Sequence, residues 1–194
     1  MLAYGHIAHD CRVDDYVIFS NNTTLAGHVE VEEYAIIGGL TAVHQFCRIG
    51  KHSICGGCTK IVQDVPPYMI ADGNPAEIRG INLVGLERRG FAAELIRILK
   101  ESYRILYRSN LNTKQAIAEL QMQFGGVEPV QQLIQFIERS QRGIIRSNPP
   151  GFSRFRDCAN AKAPPTSGTP SLPAAACRAN RSRYTCSARN TWPK

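Results

Sequence analysis

The chain has 194 residues, 23 Lys+Arg against 16 Asp+Glu, and seven cysteines, a length that accommodates one sizeable domain plus an appendage. No apolar run is long enough to span a membrane, and Met1–Asp10 holds two histidines and an aspartate where a signal peptide needs an apolar core. The net charge of +7 does not indicate nucleic-acid binding, because residues 1–146 hold 15 basic and 15 acidic side chains while residues 147–194 hold 8 basic groups and only Asp157.

From Ile7 onward every sixth residue belongs to one apolar class: Ile7, Val13, Phe19, Leu25, Val31, Ile37, Val43, Ile49, Cys55 and Ile61. Four residues after each anchor runs a second row, from Cys11, Val17 and Thr23 to Thr59 and Val65, with nothing bulkier than valine. A period of six is neither the 3.6 of a helix nor the 2 of a plain strand. It predicts a β-helix of hexapeptide repeats over 1–67, with anchors pointing inward and small side chains filling the corners. Cys11, Cys47 and Cys55 fall in interior rows, where a free thiol serves as a small apolar group. The Cys55-Gly56-Gly57-Cys58 stretch lacks a second CxxC pair, so no zinc centre is expected there.

Asp64-Val65-Pro66-Pro67 is expected to end the ladder, since paired prolines cannot continue its hydrogen bonds. Residues 68–86 read as a connector turning at Gly73-Asn74-Pro75. A helix is predicted from about Phe91 to Tyr107, with Phe91, Leu95, Ile98, Leu99, Ser102 and Leu106 on one face. Asn112 and Gln115 form a capping pair for a second helix. Pro129 opens a third, which carries Val130, Leu133, Ile134 and Ile137. Residues 68–146 are thus a connector and a small helical domain. Residues 147–194 hold seven of the eleven prolines and no periodicity, and are expected to be disordered.

Three hexads make one triangular turn, so residues 18 apart stack on adjacent coils about 4.8 Å apart. His28 follows His9 by 19 residues and His44 follows His28 by 16. The three imidazoles therefore share one side of the prism, with His6 near it and His52 far from it. Such a column suits general base work or metal binding. Asp10 adjoins His9 and can orient its ring, while Gly27 allows close approach to a backbone N–H.

His6-Ile7-Ala8-His9-Asp10, Leu25-Ala26-Gly27-His28-Val29, Thr41-Ala42-Val43-His44-Gln45-Phe46, Gln63-Asp64-Val65-Pro66-Pro67 and Gly85-Leu86-Glu87-Arg88-Arg89-Gly90-Phe91 occur in that order. Together they resemble the acyl-[acyl-carrier-protein]–UDP-N-acetylglucosamine O-acyltransferases of lipid A synthesis, from His6 to about Arg146. The resemblance implies a left-handed parallel β-helix of hexapeptide repeats followed by a small C-terminal helical domain, assembled as a cytoplasmic homotrimer with its sites between subunits. It implies transfer of a 3-hydroxyacyl group from acyl carrier protein to the 3-hydroxyl of UDP-N-acetylglucosamine, with no metal or organic cofactor. By motif, His9 is the expected base, Asp10 its orienting partner and Gly27 the oxyanion donor. His6, His28, His44 and Gln45 are expected in the substrate pocket. Asn82, Arg88 and Arg89 are expected at the nucleotide, and Gly57 at the position that limits acyl length.

Proteins of that family carry several further coils before the first of these motifs, whereas here five residues precede His6. His9 is therefore expected in a terminal coil with open strand edges, and activity of this chain is expected to be impaired. Two alternatives stand beside the acyltransferase: an inactive scaffold that assembles with a full-length enzyme, and a γ-type zinc carbonic anhydrase.

Overall fold

The computed structural model describes residues 1–147, so the expectation of a disordered tail falls, but for Ser147, outside the described residues. Ten two-residue strands follow one another six residues apart: β1 (His6–Ile7), β2 (Arg12–Val13), β3 (Ile18–Phe19), β4 (Thr24–Leu25), β5 (Glu30–Val31), β6 (Ile36–Ile37), β7 (Ala42–Val43), β8 (Arg48–Ile49), β9 (Ile54–Cys55) and β10 (Lys60–Ile61). They stack in parallel into three sheets, β1-β4-β7-β10, β2-β5-β8 and β3-β6-β9. The register is 18 throughout, as in Ile7↔Leu25 and Phe19↔Ile37. The fold is the expected left-handed parallel β-helix with a small helical domain after it.

The anchors fill the interior. Leu25, Ile37, Ile49, Cys55 and Ile61 are fully buried, as are Thr23, Val29, Ala35 and Cys47 of the small row. Each large apolar anchor contributes about 1.5–3 kcal/mol by leaving water. Ile7 and Val13 keep 39% and 36% of their surface, because the first coil has a neighbour on one side only.

The prism turns through a third row, also of period six. Tyr4, Asp10, Tyr16, Asn22, His28, Tyr34, Leu40, Phe46, His52 and Cys58 all have φ between 55° and 63°. For a non-glycine residue that left-handed conformation costs roughly 1–2 kcal/mol. The backbone recovers part of it from Asn22 onward, since the corner N–H groups there donate to carbonyls of the preceding coil, as His28 N does to His9 O at 3.1 Å. The side chains stack from coil to coil: Tyr16 on Tyr34 at 4.7 Å, Tyr34 on His52 at 4.9 Å and His28 on Phe46 at 4.8 Å between ring centres.

The ladder does not stop at the paired prolines. Pro67 packs against Gly50, where a Cβ would meet the Pro67 nitrogen at 2.4 Å. Past this turn β11 (Met69–Asp72) pairs in parallel with β9, Ile70↔Ile54, a spacing of 16 instead of 18. β12 (Glu77–Ile81) then returns antiparallel to β11 after the Gly73–Pro75 turn, whose Asn74–Pro75 bond is cis. The expected connector is therefore largely a hairpin that extends the sheet. It is followed by α1 (Leu83–Arg88), α2 (Ala93–Arg108), α3 (Thr113–Phe124) and α4 (Glu128–Glu138).

The predicted capping box is present at Asn112 and Gln115, and Pro129 lies in the first turn of α4. Val130, Leu133, Ile134 and Ile137 are buried, as predicted for that face. Asp64, 1% exposed, ties helices to prism: it accepts from Arg48 N at 2.8 Å and from Ser140 Oγ at 2.6 Å. The Arg48 guanidinium lies 4.4 Å from the Phe136 ring centre.

Candidate functional site

Residues 9, 27 and 45 occupy one column of the 18-residue register, and 10, 28 and 46 the next. His9 follows β1 and faces outward on the corner that Asp10, His28 and Phe46 turn. Its Nδ1 lies 2.8 Å from Asp10 Oδ2. The same Asp10 oxygen is 3.8 Å from His28 Nε2. The two imidazoles meet edge to face, 5.1 Å between centres at 87°. The hydrogen bond from His9 is the chief cause that holds the Asp10 carboxyl below its ordinary range, aided by the charges of His28 and His9 against a desolvation that pushes the other way. A carboxylate so held accepts, which leaves Nδ1 of His9 protonated and Nε2 as the basic nitrogen.

Gly27 lies directly against this ring. A Cβ at Gly27 would stand 2.6 Å from His9 Cε1 and 2.7 Å from Nε2, so the absent side chain is what admits the imidazole. The Gly27 carbonyl accepts from Phe46 N at 3.2 Å, while its N–H has no partner among the described residues. A cleft of about 430 Å³ opens beside Asp10 and His28, where Arg12, Arg48 and Arg139 share the wall with Glu30 and Asp64; His9 does not line it.

His44 and Gln45 sit on the next coil of the same corner, both exposed. His44 Nδ1 is 3.1 Å from the Gln45 carbonyl, and the ring that stacks on His28 is Phe46, not His44. The expected column of three imidazoles is thus a contacting pair backed by a phenyl ring. Phe46 escaped the sequence reading although its spacing of 18 from His28 marked it. His6 is exposed in β1, in register with Thr24.

Asn82, Arg88 and Arg89 gather at a different corner. Asn82 is 1% exposed and caps α1: its Oδ1 accepts from Gly85 N at 3.0 Å and its Nδ2 donates to His52 O at 2.9 Å. Its amide is therefore committed within the fold. Arg88 ends α1 and is exposed, while Arg89 donates to Tyr34 O at 3.2 Å with its guanidinium 5.0 Å from the Tyr34 ring centre. Both arginines precede the helix predicted from Phe91, and cations beside a helix start oppose its dipole. They lie instead at the C-terminal end of α1, where the dipole favours them. The six-residue α1 carries too few apolar positions to be seen as a period. Gly57 is exposed at the third corner, one residue before Cys58.

The structure is thus a hexapeptide prism that carries a histidine–carboxylate pair against a glycine on one corner and two arginines on another. Residues 64–145 match the family described as Udp N-acetylglucosamine O-acyltransferase, domain 2. The chain is 52% identical over 150 residues to the acyl-[acyl-carrier-protein]–UDP-N-acetylglucosamine O-acyltransferase of Burkholderia multivorans, a match that covers 75% of this chain and 57% of that protein. Among solved structures it resembles the Francisella novicida UDP-N-acetylglucosamine acyltransferase, with TM-score 0.73, 37% identity and 76% and 54% of the two chains covered. It also resembles the Moraxella catarrhalis UDP-N-acetylglucosamine O-acyltransferase, with TM-score 0.71, 43% identity and 73% and 55% covered. The chain belongs to the UDP-N-acetylglucosamine O-acyltransferase family. It spans a little over half the length of the relatives it matches.

Proposed function

We propose that the chain supplies the catalytic coils of an acyltransferase that moves a 3-hydroxyacyl group from acyl carrier protein to the 3-hydroxyl of UDP-N-acetylglucosamine, the first step of lipid A synthesis. The observation that carries this reading is the His9–Asp10 pair seated on Gly27. His9 Nε2 takes the proton of the sugar hydroxyl as its oxygen bonds to the thioester carbonyl carbon. The carbonyl oxygen becomes an oxyanion that the Gly27 N–H stabilises. Collapse breaks the carbon–sulfur bond, and the leaving thiolate takes the proton back from His9. A positioned base contributes about 10²–10⁴ in rate, and an oxyanion donor about 10²–10³. In this reading His6, His28, His44 and Gln45 line the pocket, and Gly57 leaves room for the acyl chain.

Arg88 and Arg89 are suited to a diphosphate, and Asn82 places them by capping α1. They stand on a corner that His9 does not share. A site that uses both groups needs two copies of the prism, which supports the homotrimer. Among the described residues no helix is long and apolar enough to cross a membrane, and Cys11, Cys47, Cys55 and Cys58 are free thiols, which favours a reducing, cytoplasmic setting.

The test is transfer by the purified chain from acylated carrier protein to UDP-N-acetylglucosamine, with His9→Ala beside it. Transfer that disappears in the variant supports the reading. Transfer that survives it refutes His9 as the base. Absence of transfer beside normal trimer assembly favours the scaffold instead.

A further inference from the structure

We propose that His9, Asp10 and His28 form a labile site for a divalent transition-metal ion of the Zn²⁺ type, and that filling it disables His9 as a base. One donor atom from each of the three side chains lies within 4.8 Å of the other two, and all three residues are exposed. Two imidazoles and a carboxylate are a donor set suited to Zn²⁺ or Co²⁺.

The geometry is close to what such an ion needs. Bonds of about 2.0–2.2 Å to nitrogen and oxygen in a tetrahedron put neighbouring ligand atoms roughly 3.3 Å apart. His9 Nδ1 and Asp10 Oδ2 are 2.8 Å apart, and Asp10 Oδ2 and His28 Nε2 are 3.8 Å apart. One of these edges must open and the other close by about half an ångström each to reach that spacing, and the edge between the two imidazole nitrogens, which lies within 4.8 Å, must close by up to about 1.5 Å, movements open to side chains on the surface. The site is also partly set in advance. Phe46 stacks under His28 at 8°, and the close approach of His9 to Gly27 fixes the other ring. Three protein ligands leave at least one position to water, so the ion is exchangeable and not a structural staple.

The consequence for His9 follows from its tautomer. In the metal-free site Asp10 holds the proton on Nδ1 and leaves Nε2 free to accept. A metal ion on Nδ1 takes that place, and the single N–H of the neutral ring moves to Nε2. The nitrogen that would receive the substrate proton is then already protonated. The ion is therefore an inhibitor of the chemistry proposed above, not a helper in it. Binding itself is independent of the acyltransferase reading, whereas inhibition rests on it.

The experiment loads the purified chain by dialysis against Zn²⁺ and, separately, Co²⁺. The chain holds seven cysteines, so the readout is the difference between variants and not the total metal bound. The wild type is expected to hold one more equivalent than His28→Gln or Asp10→Asn, with affinity at that site reduced at least about tenfold in both. The Co²⁺ lost with these changes should show visible d–d bands without thiolate charge transfer, and Cys58→Ser should retain it. Circular dichroism establishes that the variants are folded. Equal metal content in wild type and variants, or thiolate bands in the lost equivalent, overturns the site. Transfer that continues at full rate with that equivalent bound overturns the inhibition. A chain that binds the equivalent but transfers nothing even when metal-free sinks the acyltransferase reading alone and leaves the site standing.

Discussion

His52 should make the fold acid-sensitive by an amount that the structure sets. Its ring is 5% exposed, stacked between Tyr34 at 4.9 Å and Tyr68 at 5.8 Å, with the edge of Phe91 at 5.1 Å. Its Nδ1 is buried without a hydrogen-bond partner among the described residues. Burial, with the charges of Arg89 and Lys51, pushes its pKa down to about 4 from 6.5. Between those values the unfolded chain binds a proton that the folded chain refuses, so stability rises with pH there. The contribution is complete above the unfolded value and is lost as pH falls from 6.5 toward 4. At about 1.4 kcal/mol per pH unit the loss is about 3 kcal/mol, a sizeable share of a stability of roughly 5–15 kcal/mol. Chemical denaturation across this range, for the wild type and for His52→Phe, isolates the group, because phenylalanine keeps the stack and cannot titrate. The wild-type curve should fall about 3 kcal/mol further than the variant's. Parallel curves, or an NMR titration of the His52 ring near 6.5, would refute the reasoning.

Gly27→Ala should drive the His9 ring from its seat, because the new Cβ would stand 2.6 Å from Cε1. We expect unfolding changed by less than about 1 kcal/mol, a shifted His9 resonance and transfer reduced about 10²–10³-fold; an unmoved resonance contradicts the close contact. Asp64→Ala leaves the Arg48 amide and the Ser140 hydroxyl without their shared acceptor. Denaturant midpoints should report a loss of about 2–4 kcal/mol, and a near-neutral result would mean that Asp64 does not tie helices to prism. His9→Ala and Arg89→Ala, each inactive alone, should complement when unfolded together and refolded at equal ratio. About a quarter of the sites then pair an intact His9 with an intact Arg89 if each site draws them from different subunits, whereas no recovery would place both on one subunit.

The prism was legible because its core obeys a count. Leu25, Ile37 and Ile61 are fully buried where the period of six put them. The count of 18 predicts His9, His28 and His44 on one side of the prism, and the structure brings His9 and His28 into contact there while Phe46, not His44, stacks on His28. What escaped is what departs from that count. β11 pairs with β9 at a spacing of 16, and its antiparallel pairing with β12 shifts register between Ile70 and Ala71. No hexad rule extends across it, and Gly73 and Pro75 disguise a hairpin as a connector. The corner row of left-handed residues was also hidden, since Tyr, Asp, Asn, His, Leu, Phe and Cys share no chemical class. What they share is a backbone angle. Phe46 belongs to that row, which is why its contact with His28 went unread. Arg89 found its place through Tyr34, a tertiary contact that no local pattern records.

The corner row explains why the candidate site residues stand where they do. A glycine would relieve the left-handed strain at each turn, yet none of the ten corner positions from Tyr4 to Cys58 is glycine. At Asp10, His28 and Phe46 the strained backbone projects side chains outward in a column, one above another, at the spacing of adjacent coils. Gly27, one residue before His28, is where a side chain is missing, and that gap receives His9. A second corner bears Tyr34 and His52 and holds Arg89, while the third ends at Cys58 beside Gly57. The three corners thus carry the proposed base, two phosphate-suited arginines and a glycine, each corner a hexad away from the next. On one prism these groups point in three different directions. In the proposed homotrimer they meet where the corner of one copy faces a different corner of its neighbour, an arrangement for which a three-cornered prism has the matching symmetry.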